Sequence, residues 1–270
     1  MEKVTLTFIG LGLYDEKDIS IKALEEIKKY DKIFVEFYTS KLVGTNFKKI
    51  EKIIGKKIEI LSREETEKGD KILKAAKTQN VSFLTAGDSM TATTHVDLRI
   101  RAIKNGIKTK VIHGSSIVTA VPGLLGLQSY KFGRITTLVY PEGDYFPTSP
   151  YDIIFDNKKM GLHTLVLLDI QEDKKRYMSA NEGLKIILDM EKKVGKKMFN
   201  TDSVVCVVAR AGSEKPLVKA GTFKKLLDFN FGPPLHSIVI PSRLHFMEVE
   251  ALMALAQLPA HLGEKLQKIY

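Results

Sequence analysis

The stretch FIGLGLYD, residues 8–15, is an apolar run that contains two glycines and ends in a carboxylate. This stretch indicates the fold class. Two later stretches have the same form, FLTAGDSMTATTH at 83–95 and VIHGSSIVTAV at 111–121. Such runs are typical of buried parallel strands. Ligands bind outside the carboxyl ends of these strands, where helix N-termini present unpaired N–H groups. The three turns therefore predict a ligand-binding pocket.

The composition indicates a soluble globular protein. The chain has 270 residues, of which 44% are hydrophobic and 27% charged, enough for one large α/β domain or two ordinary ones. The longest weakly polar stretch, residues 115–127, is well short of the roughly 20 residues that cross a bilayer, so we expect no membrane span.

The formal net charge of +10 raises the possibility of a nucleic-acid partner. The lysines are interleaved with acids, however, as in residues 50–71 and 189–197. Mixed surfaces of this kind favour solubility over direct nucleic-acid binding. The surplus could still steer the protein toward an acidic macromolecule, an effect that salt would weaken.

The chain has one cysteine, Cys206, within the apolar run VVCVVA. A single cysteine excludes an internal disulfide and any multi-cysteine metal site, and it fits a reducing cytoplasm. We expect Cys206 to be a buried structural residue rather than a nucleophile.

Strand-like and helical segments alternate in the first part of the chain, which predicts a parallel sheet. Asp18 or Ser20 can cap the first helix, and Gly106 can end a later one. The strand-like runs are residues 4–9, 32–36, 81–84 and 110–113, and the helical segments are residues 19–30 and 94–105.

The pattern breaks after Val121, where a proline and three glycines precede a new strand-like series. We therefore predict two α/β domains, residues 1–115 and 116–270. The predicted elements of the second domain are strands in residues 135–140, 162–170, 203–213 and 237–242, a helix at about 180–193 and a closing helix at 248–257.

Familiar binding motifs are incomplete or missing. Gly10 and Gly12 begin a dinucleotide fingerprint, but its third glycine would fall on Asp15. There is no Walker A loop, HExxH or EF-hand pattern, and the six histidines lack metal-site spacing, so we expect no metal.

Individual polar residues leave alternatives open. Asp88 can accept hydrogen bonds from a ribose or an amine, or it can cap the following helix. Ser115 and Ser116 present the same choice. Among the histidines, His236 is the best candidate for a ligand contact, although its ring could equally be satisfied by backbone groups.

Many segments in order resemble the diphthine synthases, over nearly the whole chain. The resemblance implies the two-domain α/β fold of the tetrapyrrole (class III) methylases, with a cofactor cleft between the domains. The segments are FIGLGLYDEKDIS, VEFYTS, LSREE, FLTAGDSMTATTH, VIHGSSI, YKFG, YPEGDYFPTSPYD, GLHTLVLLDI, YMSANEG, VVARAGS and GPPLHSIVIPS.

The resemblance implies that S-adenosylmethionine is the cofactor and S-adenosylhomocysteine its product. Small residues would let the backbone approach the adenine, leucine and isoleucine would form apolar walls, and Asp88 and His236 would be polar anchors. The cofactor contacts implied by the resemblance are Leu13, Asp88, Thr91, Ser116, Ile117, Leu168, Ala211 and His236.

The implied reaction is trimethylation of the amino group of a 3-amino-3-carboxypropyl-modified histidine in elongation factor 2, which gives diphthine in diphthamide biosynthesis. The implied protein is a cytoplasmic homodimer, most similar to archaeal members. Positioning of a neutral amine should dominate, and a dedicated base is optional. We identify Tyr140, Glu142 and Asp144 as candidates for contacting the acceptor.

Three other classes of function remain open at this point. A precorrin-type tetrapyrrole methyltransferase or a ribosomal RNA methyltransferase would have the same fold. A nucleotide- or NAD-binding module would need only the parallel sheet. A non-catalytic interaction protein would tolerate loss of Asp88.

Overall fold

The computed structural model describes residues 4–30 and 32–267, in two compact units. The first unit extends to Ile117 and includes Glu172–Lys174, and the second begins at Val118 and contains the rest. Residues 1–3 and 268–270, which belong to the predicted domains 1–115 and 116–270, lie outside the described residues.

The first unit contains a five-stranded sheet in which all neighbouring strands are parallel. The strand order is β3-β2-β4-β1-β5, and the parallel sheet predicted from the alternating pattern is confirmed. Its strands are β1 (Thr5–Gly10), β2 (Lys32–Glu36), β3 (Glu59–Ile60), β4 (Val81–Thr85) and β5 (Lys108–Ile112).

The helices of the first unit connect these strands. Ser20, not Asp18, caps α1, since its side chain accepts the N–H of Ala23 at 3.1 Å. The helices are α1 (Ile21–Ile27), α2 (Phe47–Ile54), α3 (Arg63–Lys68), α4 (Asp70–Ala76) and α5 (His95–Lys104).

Apolar side chains cover both faces of this sheet, because successive residues of a strand point to opposite sides. On one face lie Ile9, Ile33 and Leu84, with α1 and α2 packed against them. Phe8 and Phe83 lie on the other face with α4 and α5. Burial on both faces explains why the central strands β1 and β4 are largely apolar.

The second unit is built on a five-stranded mixed sheet in the order β11-β10-β12-β7-β6. Only β6 and β7 are parallel among these neighbours. The prediction of a second α/β unit is confirmed. The antiparallel pairing of most of its strands was not predicted from the sequence. Its strands, with the hairpin β8-β9, are β6 (Thr136–Leu138), β7 (Thr164–Leu168), β8 (Ile170–Gln171), β9 (Arg176–Tyr177), β10 (Val204–Ala209), β11 (Leu217–Thr222) and β12 (His236–Ile240).

The helices of the second unit are α6 (Ile117–Leu125), α7 (Ser149–Lys159), α8 (Ala180–Val194), α9 (Phe223–Leu226), α10 (Phe246–Ala256) and α11 (Ala260–Gln267). In this unit a large core that includes Tyr151, Phe223 and Phe231 contains residues of α7, α8 and α9. Within the described part of the chain, no helix combines the length and the apolar character that a membrane span requires.

Candidate active site

The three turns singled out in the sequence follow β1, β4 and β5, which are neighbours in the first sheet. Because all three strands run parallel, their carboxyl ends lie at one edge. The turns meet closely: a Cβ on Gly10 would lie 2.5 Å from the Gly87 oxygen and 2.6 Å from the Gly114 nitrogen. Glycine is therefore required where these backbones pass, and the edge presents main chain rather than side chains.

Asp18 shapes the first turn. Its Oδ2 accepts the N–H groups of Leu13 at 3.1 Å and Tyr14 at 2.7 Å. The chain reaches this arrangement through Gly12, whose φ is +87° and whose Cβ, if present, would lie 2.3 Å from the Asp18 Cβ. Leu13, a predicted cofactor contact, is thus fixed at the sheet edge by a carboxylate.

Asp88 joins the second and third turns. Its Oδ1 accepts Met90 N–H at 2.9 Å and the Thr91 hydroxyl at 3.2 Å. Its Oδ2 lies 2.8 Å from His113 Nδ1 and accepts Gly114 N–H at 3.2 Å. Burial opposes ionisation of Asp88, but these hydrogen bonds outweigh it and lower the pKa of the carboxyl below its usual value.

The alternative role of Asp88 as a helix cap is wrong. The next helix, α5, begins at His95 and has Thr94 at its N-cap position. Asp88 instead organises the loop that separates β4 from that helix.

The structure brings five predicted cofactor residues to this one edge. Leu13 lies on the turn after β1, Asp88 and Thr91 on the turn after β4, and Ser116 and Ile117 after β5 at the start of α6. The edge offers backbone N–H groups, the ionised carboxylate of Asp88 and partly buried apolar side chains.

The other three predicted residues share an edge of the second sheet. Leu168 ends β7, His236 begins the antiparallel strand β12, and Ala211 follows β10. The adjacent Arg210, with φ of +54°, donates from its guanidinium to the carbonyl oxygens of Phe231 and Pro233, both at 2.7 Å. Sequence reasoning missed this clamp, because nothing in the segment VVARAGS indicates where its arginine points.

Backbone groups satisfy both ring nitrogens of His236. Nδ1 accepts Ala180 N–H at 3.0 Å, so Nε2 carries the proton and donates to the Pro233 oxygen at 3.0 Å. Burial lowers the pKa of His236 below its usual value, which keeps the imidazole neutral. Of the two alternatives left open for this histidine, the structure shows the backbone-satisfied one, so a cofactor contact would use its backbone or ring face.

The three residues predicted to contact the acceptor differ in burial. Tyr140 is buried: its hydroxyl lies 3.3 Å from Glu182 Oε2, the Arg176 guanidinium stacks 3.4 Å from its ring centroid, and burial raises its pKa to about 12. Glu142 and Asp144 lie on an exposed turn. Neighbouring side chains therefore hold the Tyr140 ring in place, whereas Glu142 and Asp144 are exposed at the surface.

His113 is the functional candidate that the sequence did not single out. Its side chain is 74% exposed, yet its Nδ1 is held by Asp88. The signal was present, since VIHGSSI places this histidine at a strand end, but its partner lies 25 residues away in sequence. Only the parallel pairing of the strands brings the two together.

Cys206 is fully buried in β10, and burial raises the pKa of its thiol to about 12. The prediction of a structural cysteine is confirmed. Among residues 4–30 and 32–267, no three His, Cys, Asp or Glu side chains are grouped so as to hold a metal ion.

Comparison with known proteins identifies the family. Residues 5–227 match the model of the tetrapyrrole (corrin/porphyrin) methylases. The diphthine synthase of Methanosarcina acetivorans is 51% identical over 265 residues, covering 96% of this chain and 99% of the relative. That of Methanocaldococcus jannaschii is 51% identical over 255 residues, covering 93% of this chain and 99% of the relative.

The chain belongs to the diphthine synthase family. A crystal structure of a diphthine synthase superimposes with a TM-score of 0.88 at 36% identity, covering 96% of this chain and 99% of that one. The resemblance noted in the sequence, the methylase fold and the assignment as a methyltransferase are confirmed. The tetrapyrrole and RNA alternatives are not favoured, since the diphthine synthases match across nearly the whole chain.

Proposed function

We propose that this member of the family transfers methyl groups from S-adenosylmethionine to the amino nitrogen of a 3-amino-3-carboxypropyl-modified histidine of elongation factor 2, and that three transfers give diphthine. The observation that carries the proposal is the set of three glycine-bearing turns around an ionised Asp88, in a chain about half identical to diphthine synthases.

The residues of the first unit fit the cofactor. The crowded backbone at Gly10 and Gly114 leaves no side chain that would block a flat ligand, and space is open above Gly87. Leu13 and Ile117 supply partly buried apolar surface. The ionised Asp88 favours a cationic group, because opposite charges attract more strongly where water is partly excluded.

In the second unit, Leu168, Ala211 and His236 are the residues we propose for cofactor contact. Ala211 and the exposed Gly212 leave room for close approach to the backbone, and the Arg210 clamp fixes the loop at Phe231 and Pro233. The neutral imidazole of His236 adds no charge that would repel a sulfonium.

When bound, S-adenosylmethionine supplies an electrophilic methyl group. The chain then has to align the amine with that methyl carbon and keep the amine unprotonated. Positioning of this kind can account for several kcal/mol of the barrier. We propose Glu142 and Asp144 as contacts for the acceptor protein, and a cytoplasmic homodimer as the working form.

The proposal is tested by incubating the enzyme with methyl-labelled S-adenosylmethionine and one of three acceptors. These are elongation factor 2 bearing the aminocarboxypropyl histidine, the same factor without that modification, and a precorrin. We expect label only in the modified factor, with a mass increase corresponding to three methyl groups. Label that appears only in the tetrapyrrole would reject the proposal.

A further inference from the structure

Asp88 and His113 form a carboxylate–imidazole pair at the sheet edge where the turns after β1, β4 and β5 meet. Asp88 Oδ2 and His113 Nδ1 are 2.8 Å apart. Met90 N–H, Gly114 N–H and the Thr91 hydroxyl also bind the carboxylate, which fixes its orientation. The carboxylate therefore holds the ring in a defined position although that ring is largely exposed.

The hydrogen bond also determines which ring nitrogen is free. An ionised carboxylate only accepts, so Nδ1 of His113 carries the proton that it donates to Asp88. In a neutral imidazole the other nitrogen, Nε2, then has a lone pair available to accept a proton. A carboxylate that orients a histidine in this way also stabilises the imidazolium that forms.

Two carboxylates on the neighbouring turn are engaged by backbone groups of that turn. On the neighbouring turn after β1, Asp18 Oδ2 accepts backbone N–H groups, and Asp15 Oδ1 accepts Lys17 N–H at 2.9 Å. Asp88 is the titratable group that contacts His113 directly. His113 is thus held by one fixed carboxylate, and most of its side chain is exposed.

We propose that His113, oriented by Asp88, accepts the proton that the acceptor nitrogen must lose between successive methyl transfers. This inference rests on the proposed function. Each transfer joins the amine lone pair to the methyl carbon while the bond from that carbon to sulfur breaks and its electron pair stays on sulfur. The product is an ammonium ion.

The first and second products carry N–H groups, and neither can be methylated again until it loses a proton. That proton passes to His113 Nε2, and the resulting imidazolium, paired with Asp88, releases it to solvent through its exposed side. The third product has no N–H and needs no acceptor. His113 therefore acts on the second and third transfers more than on the first.

The test uses His113→Asn, because the asparagine Nδ2 occupies the place of the histidine Nδ1 and can still donate to Asp88, while it offers no basic nitrogen. The exposed His261→Asn is the matched control. We measure the amounts of mono-, di- and trimethylated elongation factor 2 over time by mass spectrometry, and S-adenosylhomocysteine affinity by calorimetry.

At about pH 7 we expect His113→Asn to slow the second and third transfers about a hundredfold or more, the lower end of the range for general base catalysis. Mono- and dimethylated factor should accumulate, while cofactor affinity changes less than about twofold, a difference of under 0.5 kcal/mol. Imidazole should restore trimethylation in His113→Ala, and His261→Asn should behave as the wild type.

Three results would overturn the inference. The first is a wild-type product distribution in His113→Asn. The second is equal slowing of all three transfers without a response to imidazole. The third is a loss of cofactor affinity that matches the loss of transfer. If the wild-type enzyme itself fails to methylate the factor, the proposed function fails instead, so the two outcomes are distinguishable.

Discussion

At the residue scale, the site depends on carboxylates that bind backbone groups of the protein itself. Asp18 holds the turn that contains Leu13, and Asp88 holds two turns together. The importance of Asp88 was predicted from its place after a strand. The four groups of the protein that donate hydrogen bonds to Asp88 were not predicted, because a sequence does not show which loops a sheet brings side by side.

Asp88→Ala should weaken binding of S-adenosylhomocysteine by about tenfold or more, since removal of one charged hydrogen-bonding group costs about 1.5–3 kcal/mol. The substitution frees the Met90 and Gly114 N–H groups and releases His113. Titration calorimetry measures the change, with the exposed Asp202→Ala as control. An unchanged affinity in a folded Asp88→Ala protein would contradict the proposed role.

At the element scale, the strands were predicted better than the helix ends or the second sheet. The segment predicted at residues 32–36 is β2 itself, because both sheet faces are buried and the three central residues of the run, IFV, are apolar. The first helix is shorter than the predicted 19–30, since Ser20 caps it and it ends at Ile27. The pairing of β12 between β10 and β7 depends on long-range contacts that no local pattern reveals.

Helix α10 carries a buried carboxylate, Glu248, that bonds to residues outside the helix. It accepts hydrogen bonds from His163 Nε2 at 3.1 Å, Gln128 N–H at 2.9 Å and His245 N–H at 2.8 Å, and it pairs with Lys131. Burial opposes its ionisation, but these partners lower its pKa to about 2.

This pKa predicts how stability depends on pH. The folded pKa of Glu248 lies below its unfolded value, so its contribution is present above about pH 4.5 and is lost as the pH falls toward about 2. Urea unfolding of the wild type and Glu248→Gln should differ by about 2–3 kcal/mol at neutral pH, and the difference should shrink steadily below about pH 4.5. A difference that stays constant down to about pH 3 would show that folding does not lower the pKa of Glu248.

At the scale of the whole molecule, local ion pairs leave a surplus of positive charge. Many lysines are paired, as Lys68 is with Glu64 and Lys196 with Asp152, yet the chain as a whole carries +10. Paired surface charges add little stability. The net charge nevertheless produces a long-range field that acts on a macromolecular acceptor before contact.

We therefore expect salt to weaken encounter with an acidic acceptor protein without changing the later chemistry. Raising the salt from about 50 to about 500 mM shortens the screening length from roughly 14 to roughly 4 Å, so kcat/KM for the modified elongation factor 2 should fall severalfold. The kcat at saturating acceptor should change little, because the bound complex has already formed. Calorimetry with S-adenosylhomocysteine over the same range is the control, since a small ligand gains less from the long-range field. A kcat/KM independent of salt would mean that the basic surplus serves solubility alone.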